Sequence, residues 1–458
     1  MEATLAPDVL APLRAAFERG KTRPLAYRRQ QLEAMRRMMN EHEERWFEAL
    51  AKDLGKPTLE AYASEIGFVL EDIAYTLKHL KDWAAPTKVK TPLVQAIGRS
   101  EVMREPLGVV LVIGPWNYPV QLVLAPLIGA IAAGNCAVLK PSEMTPACSD
   151  LLAELVPQYL DPELVQVVLG GIPETSALLE QRWDYIFFTG STMVGKIVYQ
   201  AAAKHLTPVT LELGGKSPCI VDAQVDLEVA ARRIVWGKFF NTGQTCVAPD
   251  YILCHDKMEA PLLEALRAAV NEFYGADPKA SPDFGRIVNE RHHERLVGLL
   301  AGVEPYLGGD HDVSQRYLSP TILKGVKPED PIMQEEIFGP ILPILTVGSI
   351  DEAIEFVNAR EKPLALYVFT SDASNADRVL QRTSSGGACV NETLTHLAVP
   401  ELPFGGVGAS GIGAYHGSHS FETFSHRKSV LRRKTWPDVK LRYPPYEGKL
   451  SKIKFVIG

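Results

Sequence analysis

A chain of 458 residues is longer than one ordinary hydrophobic core serves, so two or three domains are expected. Hydrophobic residues at 46% and charged residues at 22% give the balance of a soluble globular protein. The formal net charge of −7 argues against nucleic acid as the main ligand, because holding phosphates takes a basic face.

At the N-terminus Glu2, Asp8 and Arg14 leave no apolar core for a secretory signal. Up to about residue 85 the pattern is helical: Leu32, Met35, Met38 and Met39 recur at helical spacing, as do Ile66, Leu70, Ile73 and Leu77. Residues 86–92, rich in Pro and Lys, break that pattern and are expected to project from the body. No charge falls between Glu105 and Lys140, a stretch long enough to span a bilayer. Pro115, Pro119 and Pro126 interrupt it, however, and Asn117, Gln121 and Asn135 are polar. It therefore reads as a buried strand, a turn, a buried helix and a second buried strand.

From Val109 the apolar runs 109–113, 137–140, 165–169 and 185–189 alternate with helical stretches such as 119–133 and 193–203. Such alternation indicates a parallel sheet covered on both faces. A second alternating region starts near Leu211. It holds strand-like 218–221, 251–254, 341–345, 366–369 and 388–390, and helix-like 227–239 and 262–273. Two α/β domains are expected, with the chain ends left for a third, smaller element. The basic cluster His426-Arg427-Lys428 and Arg432-Arg433-Lys434 fits a solvated face or subunit contact better than an anion site. Six cysteines without a CxxC pair speak against zinc and for reduced thiols in the cytoplasm.

Four places carry possible chemistry. Cys246, in the sequence NTGQTCVAP, is either a small buried hydrophobe or a nucleophile; the polar, turn-prone Gly243-Gln244-Thr245 before it favours the second. A turn there could aim a backbone amide at charge developing beside the sulfur. Glu212 lies in an apolar run ended by Gly214 and Gly215. It is either an end-of-strand carboxylate paired with Lys216 or a desolvated general base. Asn117 follows a buried strand, at the end where parallel sheets bind ligands, and is either a turn cap before Pro119 or an amide donor to an oxyanion. Gly190 to Gly195 opens a helix after a strand, where a phosphate is favoured, although only its first and last residues are glycine. Lys140 and Glu143 close another strand, and Glu143 sits where an acidic side chain can hold ribose hydroxyls.

In this order and over nearly the whole chain, these residues resemble the aldehyde dehydrogenase superfamily. The resemblance covers Asn117 in PWN, Lys140 and Glu143 in KPSE, and the nucleotide-cradling turn Phe188, Gly190, Ser191, Thr192, Met193, Val194 and Gly195. It continues through Glu212 and Gly214 in ELGGK, Cys246 in GQTC, Glu336 and Phe338 in EEIFGP, and the loop from Leu402 to Gly408. The endings GIGAYHG and FETFSHR, with LRYPPY, are similar to class 3 members, the fatty and aromatic aldehyde dehydrogenases.

The resemblance implies an α/β fold of three parts: a Rossmann-like nucleotide-binding domain from 1–85 and 105–210, a catalytic domain over 211–425, and a bridging, oligomerising element from 86–104 and 426–458. It implies oxidation of an aldehyde to a carboxylic acid through a thioester on Cys246. Asn117 would then steady the oxyanion, Glu212 would activate water, and Glu336 and Phe338 would place the cofactor. NAD is the expected cofactor, with NADP also accepted. The partners implied are a small aldehyde and a second copy in a homodimer. Class 3 relatives with a C-terminal membrane tail are known, and the end at Gly458 suggests no membrane span. Two other functions stay open at this point: a CoA-acylating relative, against which intact Glu212 speaks, and a non-catalytic binding or structural protein on the same fold.

Overall fold

The computed structural model describes residues 6–92, 95 and 97–457; Glu2 of the N-terminal segment lies outside them. Among the described residues, three sheets of three or more strands organise the chain, beside the two-stranded pair His311–Asp312 and Tyr317–Leu318. The first has six strands in the spatial order Gly411–Ile412, Val209–Glu212, Tyr185–Thr189, Val109–Ile113, Cys136–Lys140, Val165–Val167. All neighbours run parallel except Gly411–Ile412, which is antiparallel to Val209–Glu212. Val109–Ile113 is buried at every position, so it is a continuous apolar run rather than an alternating one, as a strand covered on both faces must be. The chain lays its second and third strands on one side of Val109–Ile113 and its fourth and fifth on the other. That reversal opens a crevice at the carboxyl ends of the strands.

Register aligns the site residues along this crevice. Ile113 stands opposite Lys140 on one side and Phe188 on the other, and Thr189 stands opposite Glu212. Helix Gln121–Ala133, buried along its whole length, fills one face and stops at Gly134, whose φ of 95° and amide bonds to Ala130 O and Ile131 O close the last turn.

The second sheet holds Thr321–Leu323, Ile341–Val347, Tyr251–His255, Pro218–Val221, Ala365–Phe369 and Gly387–Val390 in that order, all parallel. One apolar core runs through the first sheet and into the second, and a further cluster packs against the second sheet. Among the described residues, no helix is long and apolar enough to cross a membrane.

Two expectations change. Residues 86–92 do more than break the helical pattern: Thr87–Val89 is an exposed strand, antiparallel to Gly98–Pro106, which in turn pairs along its length with Ser425–Arg433. The basic cluster lies on and just after that last strand and is largely solvated, with Arg432 on Glu101 and Lys428 on Glu105. Residues 411–423, read as part of a catalytic range 211–425, return instead to the first sheet. Gly411 pairs with Glu212 there, and helix Gly417–Thr423 packs so closely on Gln121–Ala133 that a Cβ on Gly129 would lie 2.7 Å from Ser420 Cβ. The boundary near 211 likewise falls inside strand Val209–Glu212. A two-residue antiparallel edge has no periodicity to betray it, which is why the sequence hides this return.

Candidate active site

Cys246 sits beyond helix Leu227–Phe239, on a turn in which Asn241, Thr242 and Gly243 have φ of 52°, 57° and 73°. Three consecutive left-handed residues reverse the chain within one step, and the turn is tied down on every side. Gln244, fully buried, donates to Arg286 O at 2.9 Å and accepts from Val288 N at 2.9 Å. Thr245 Oγ1 meets Tyr118 Oη at 2.6 Å, and Tyr367 Oη donates to Val247 O. The half-buried thiol thus faces an apolar cavity of about 230 Å³. Burial, and then the nearby Glu336 and Glu212 carboxylates, push the thiol well above its ordinary range. The amides of Cys246 and Val247 pull the other way by favouring the thiolate.

Glu212 ends its strand in the same cavity. It is 2% exposed, and neither carboxylate oxygen has a hydrogen-bond partner. Burial alone raises its pKa well above the usual carboxylate range. The pairing with Lys216 weighed from the sequence does not form: the two glycines lead the chain away, and Lys216 Nζ bonds Asp250 Oδ2 at 2.6 Å. Lys216 also donates to Ile332 O and Glu335 O, while Asp250 Oδ1 accepts from Ile337 N, so this pair holds the segment bearing Glu336. Glu336 folds against the Gly-Gly turn. A Cβ on Gly214 would lie 2.0 Å from Glu336 Oε2, and the Gly215 amide donates to the carboxylate. Burial first, then Asp250, raises the Glu336 pKa to about 8. Phe338, at φ 51°, meets the Trp116 ring edge-on at 5.2 Å.

Asn117, 3% exposed, does not line the cavity. Its Nδ2 donates to Gln244 O at 3.0 Å, two residues before Cys246, which leaves its second amide hydrogen unused by that bond. The remaining predicted residues gather at the crevice of the first sheet, away from the cavity. Ser191 caps helix Thr192–Ala203 by accepting from Val194 N, so the first amides of that helix stay open to a ligand. A Cβ on Gly190 would lie 2.5 Å from Phe188 Cζ, and one on Gly195 would lie 2.6 Å from Leu213 Cδ2. Met193 is exposed at the same helix end. Lys140 is buried with its Nζ on Pro141 O, 3.7 Å from the exposed Glu143 carboxylate.

Of the cavity walls, Phe404 lies in the loop from Leu402 to Gly408 that the resemblance covers, whereas Tyr118, Trp236, Phe240, Leu394 and Leu397 come from loops and helix ends with no shared motif. Thr189 also faces in, with its buried hydroxyl unpartnered. Its place opposite Glu212, at the last position of an apolar strand, is the one signal that could have found it.

A sequence profile described as "Aldehyde dehydrogenase family" matches residues 4–430. The chain is 53% identical over 448 residues to "Aldehyde dehydrogenase, dimeric NADP-preferring" of Canis lupus familiaris, covering 97% of this chain and 99% of that protein. It is 54% identical to "Aldehyde dehydrogenase family 3 member A2" of Mus musculus, covering 97% and 93%. A solved structure described as "Substrate bound state of Staphylococcus Aureus AldH" superposes with a TM-score of 0.97 at 48% identity, covering 99% of each chain.

Proposed function

Because the chain belongs to the aldehyde dehydrogenase family and carries out NAD(P)-dependent oxidation of aldehydes, we propose that it does so through a thioester on Cys246 that Glu212 hydrolyses. The carrying observation is that a thiol and an unpartnered buried carboxylate share one apolar cavity. The Cys246 thiol gives up its proton to solvent, and the resulting thiolate, supported by the Cys246 and Val247 amides, attacks the carbonyl carbon. The spare Asn117 amide hydrogen and a backbone amide of the turn stabilise the oxyanion. The nicotinamide cofactor, when bound, supplies the acceptor for the hydride lost from that carbon, and a thioester is left on the sulfur. Glu212, whose oxygens accept no hydrogen bond from the described residues, takes a proton from water as it attacks the thioester and passes it to the departing sulfur, releasing the acid and the thiol. The largely apolar walls suit medium or long aliphatic and aromatic aldehydes.

The residues at the crevice fit a dinucleotide. The open helix end behind Ser191 suits the diphosphate, the Lys140–Glu143 pair one ribose, and Glu336 with Phe338 the nicotinamide end. Both cofactors are accepted in this reading, with NAD preferred. A 2′-phosphate brings roughly −1.5 to −2 charges towards Glu143. Since Glu143 is exposed and held only loosely by Lys140, it can turn aside for NADP. The "NADP-preferring" relative makes the test direct: kcat/KM should be higher with NAD than with NADP, and the reverse ratio rejects the preference. A homodimer agrees with the "dimeric" of that relative's name. A reducing, cytoplasmic setting suits six free cysteines and a catalytic thiol.

The hydrolytic step is tested by Glu212→Gln. Rapid mixing with NAD and octanal should give a burst of about one NADH per site, then very slow turnover, and the intact mass should rise by the acyl group. In the Glu212→Gln background, Cys246→Ala should abolish both burst and adduct, whereas Cys254→Ala should keep them. Normal steady turnover by Glu212→Gln would remove Glu212 from the base role. A requirement of the unmodified enzyme for CoA would replace hydrolysis by acyl transfer.

A further inference from the structure

The turn that carries Asn117 is held from below by polar groups that no step above uses. Lys56 and Glu65, both fully buried at the side chain, form an ion pair of 2.6 Å. Lys56 follows helix Glu43–Leu54, and Glu65 lies in the wide π-helical turn Tyr62–Ile66, which turns its carboxylate inward. The second oxygen of Glu65 accepts from Val120 N at 3.1 Å and from Gln121 N at 2.8 Å. It thereby caps helix Gln121–Ala133, which has no side-chain cap of its own. Lys56 Nζ reaches Asn117 O at 3.3 Å and lies 4.3 Å from the centre of the Tyr118 ring. Asn241 closes the arrangement: its Nδ2 donates to Asn117 O at 2.9 Å and to Gln244 O at 3.1 Å, the carbonyl that also receives Asn117 Nδ2.

Each of these groups ends on residues 117, 120 and 121 or on the Gln244 carbonyl, two residues before Cys246. A buried ion pair is a weak source of stability, since apolar replacements of similar volume often do as well. Its concentration on one turn calls for another account. An oxyanion donor must sit close to where charge develops, and a misplacement near 1 Å costs on the order of 100-fold in rate. We infer that Lys56, Glu65 and Asn241 form a buried brace that sets Asn117 Nδ2 against the Cys246 turn and so controls the rate of thioester formation. They are positioning residues, touching neither substrate nor cofactor. The inference rests on the oxyanion role of Asn117 given above.

A double-mutant cycle separates the two. Asn241→Gly removes both side-chain bonds while keeping a residue that tolerates the φ of 52° at that position. Glu65→Gln removes the charge and keeps the shape. Each is made in the parent and in an Asn117→Ala background, and the NADH burst rate with octanal and the dissociation constant of NAD by fluorescence titration are measured. In the parent, Asn241→Gly should slow the burst about ten-fold or more with NAD affinity changed less than about two-fold. In the Asn117→Ala background it should change the burst by less than about two-fold, because the group being positioned is gone. Glu65→Gln should behave alike; if it fails to fold, the Asn241 cycle decides alone. Effects that multiply across the two backgrounds, or a parallel loss of NAD affinity, overturn the brace and leave the role of Asn117 standing. A normal burst in Asn117→Ala itself overturns that role and the brace together.

Discussion

Glu336 and Glu212 show what burial does to a carboxylate, and the consequence is measurable as stability. An unfolded glutamate titrates near 4.5, whereas Glu336 in the folded chain titrates at about 8. Between those values the folded state keeps a proton that the unfolded state has released, so stability falls as pH rises from 4.5 to 8 and levels off above. Glu212 acts in the same direction. Glu336→Gln removes the ionisation, so in cofactor-free enzyme its Tm should exceed the parent's at pH 9 and match it at pH 5. Since 1 kcal/mol moves Tm by roughly 2–4 °C in domains of 150–250 residues, and Glu336 is only half-buried, a gain of a few degrees is expected. An equal difference at both pH values would mean that Glu336 ionises normally in the fold. At this scale the motif residues were legible because their neighbours were odd: a carboxylate in an apolar strand, a cysteine after Gly-Gln-Thr. Lys56 and Glu65 were not, because a helix surface pairs neighbours three or four apart and these stand nine apart.

The elements that the sequence predicted best are those whose periodicity is unbroken. Helix Leu227–Phe239 and strands Val109–Ile113 and Tyr185–Thr189 end where their apolar patterns end. The turn after that helix reads in the sequence only as turn-prone over Gly243-Gln244-Thr245, whereas its left-handed residues begin two positions earlier, at Asn241 and Thr242. Gly243 makes the turn testable. Its φ is 73°, and an added Cβ would lie 2.3 Å from Gly339 O, a backbone atom that cannot move alone. Gly275 has a similar φ of 75° with nothing within 4 Å of such a Cβ. Gly275→Ala, at φ 75° and ψ −170°, should therefore cost only backbone strain, roughly 1–3 kcal/mol, with normal activity. Gly243→Ala should lower Tm further and slow alkylation of Cys246 by iodoacetamide, because the turn and the loop through Phe338 must separate. Equal Tm losses and unchanged alkylation would show that the contact with Gly339 relaxes freely.

For the whole molecule, the two large sheets and the core they share account for the site, while the three-stranded sheet lies outside both and bears on assembly. Thr87–Val89 and Ser425–Arg433 are its two edges, each hydrogen-bonded on one side only among the described residues. An edge strand offers unpaired amides and carbonyls to another chain, and charged side chains limit that pairing to a suitable partner. Ser425–Arg433 carries His426, Arg427, Lys428, Arg432 and Arg433, with Leu431 half exposed; Trp436 just beyond is 81% exposed. Large apolar groups rimmed by charge mark contact surfaces on soluble proteins. The homodimer proposed above would cover this face. Sedimentation equilibrium at micromolar concentration should then return twice the chain mass of 50.4 kDa. Leu431→Glu with Trp436→Asp should shift the equilibrium towards monomer by about ten-fold or more, the loss expected when apolar anchors worth on the order of 1–2 kcal/mol are replaced by charge. Since these positions lie away from the Cys246 cavity, the alkylation rate of Cys246 should stay unchanged in the same variant. A parent protein that sediments as a monomer rejects the dimer, and a variant that remains fully dimeric moves the interface to another face.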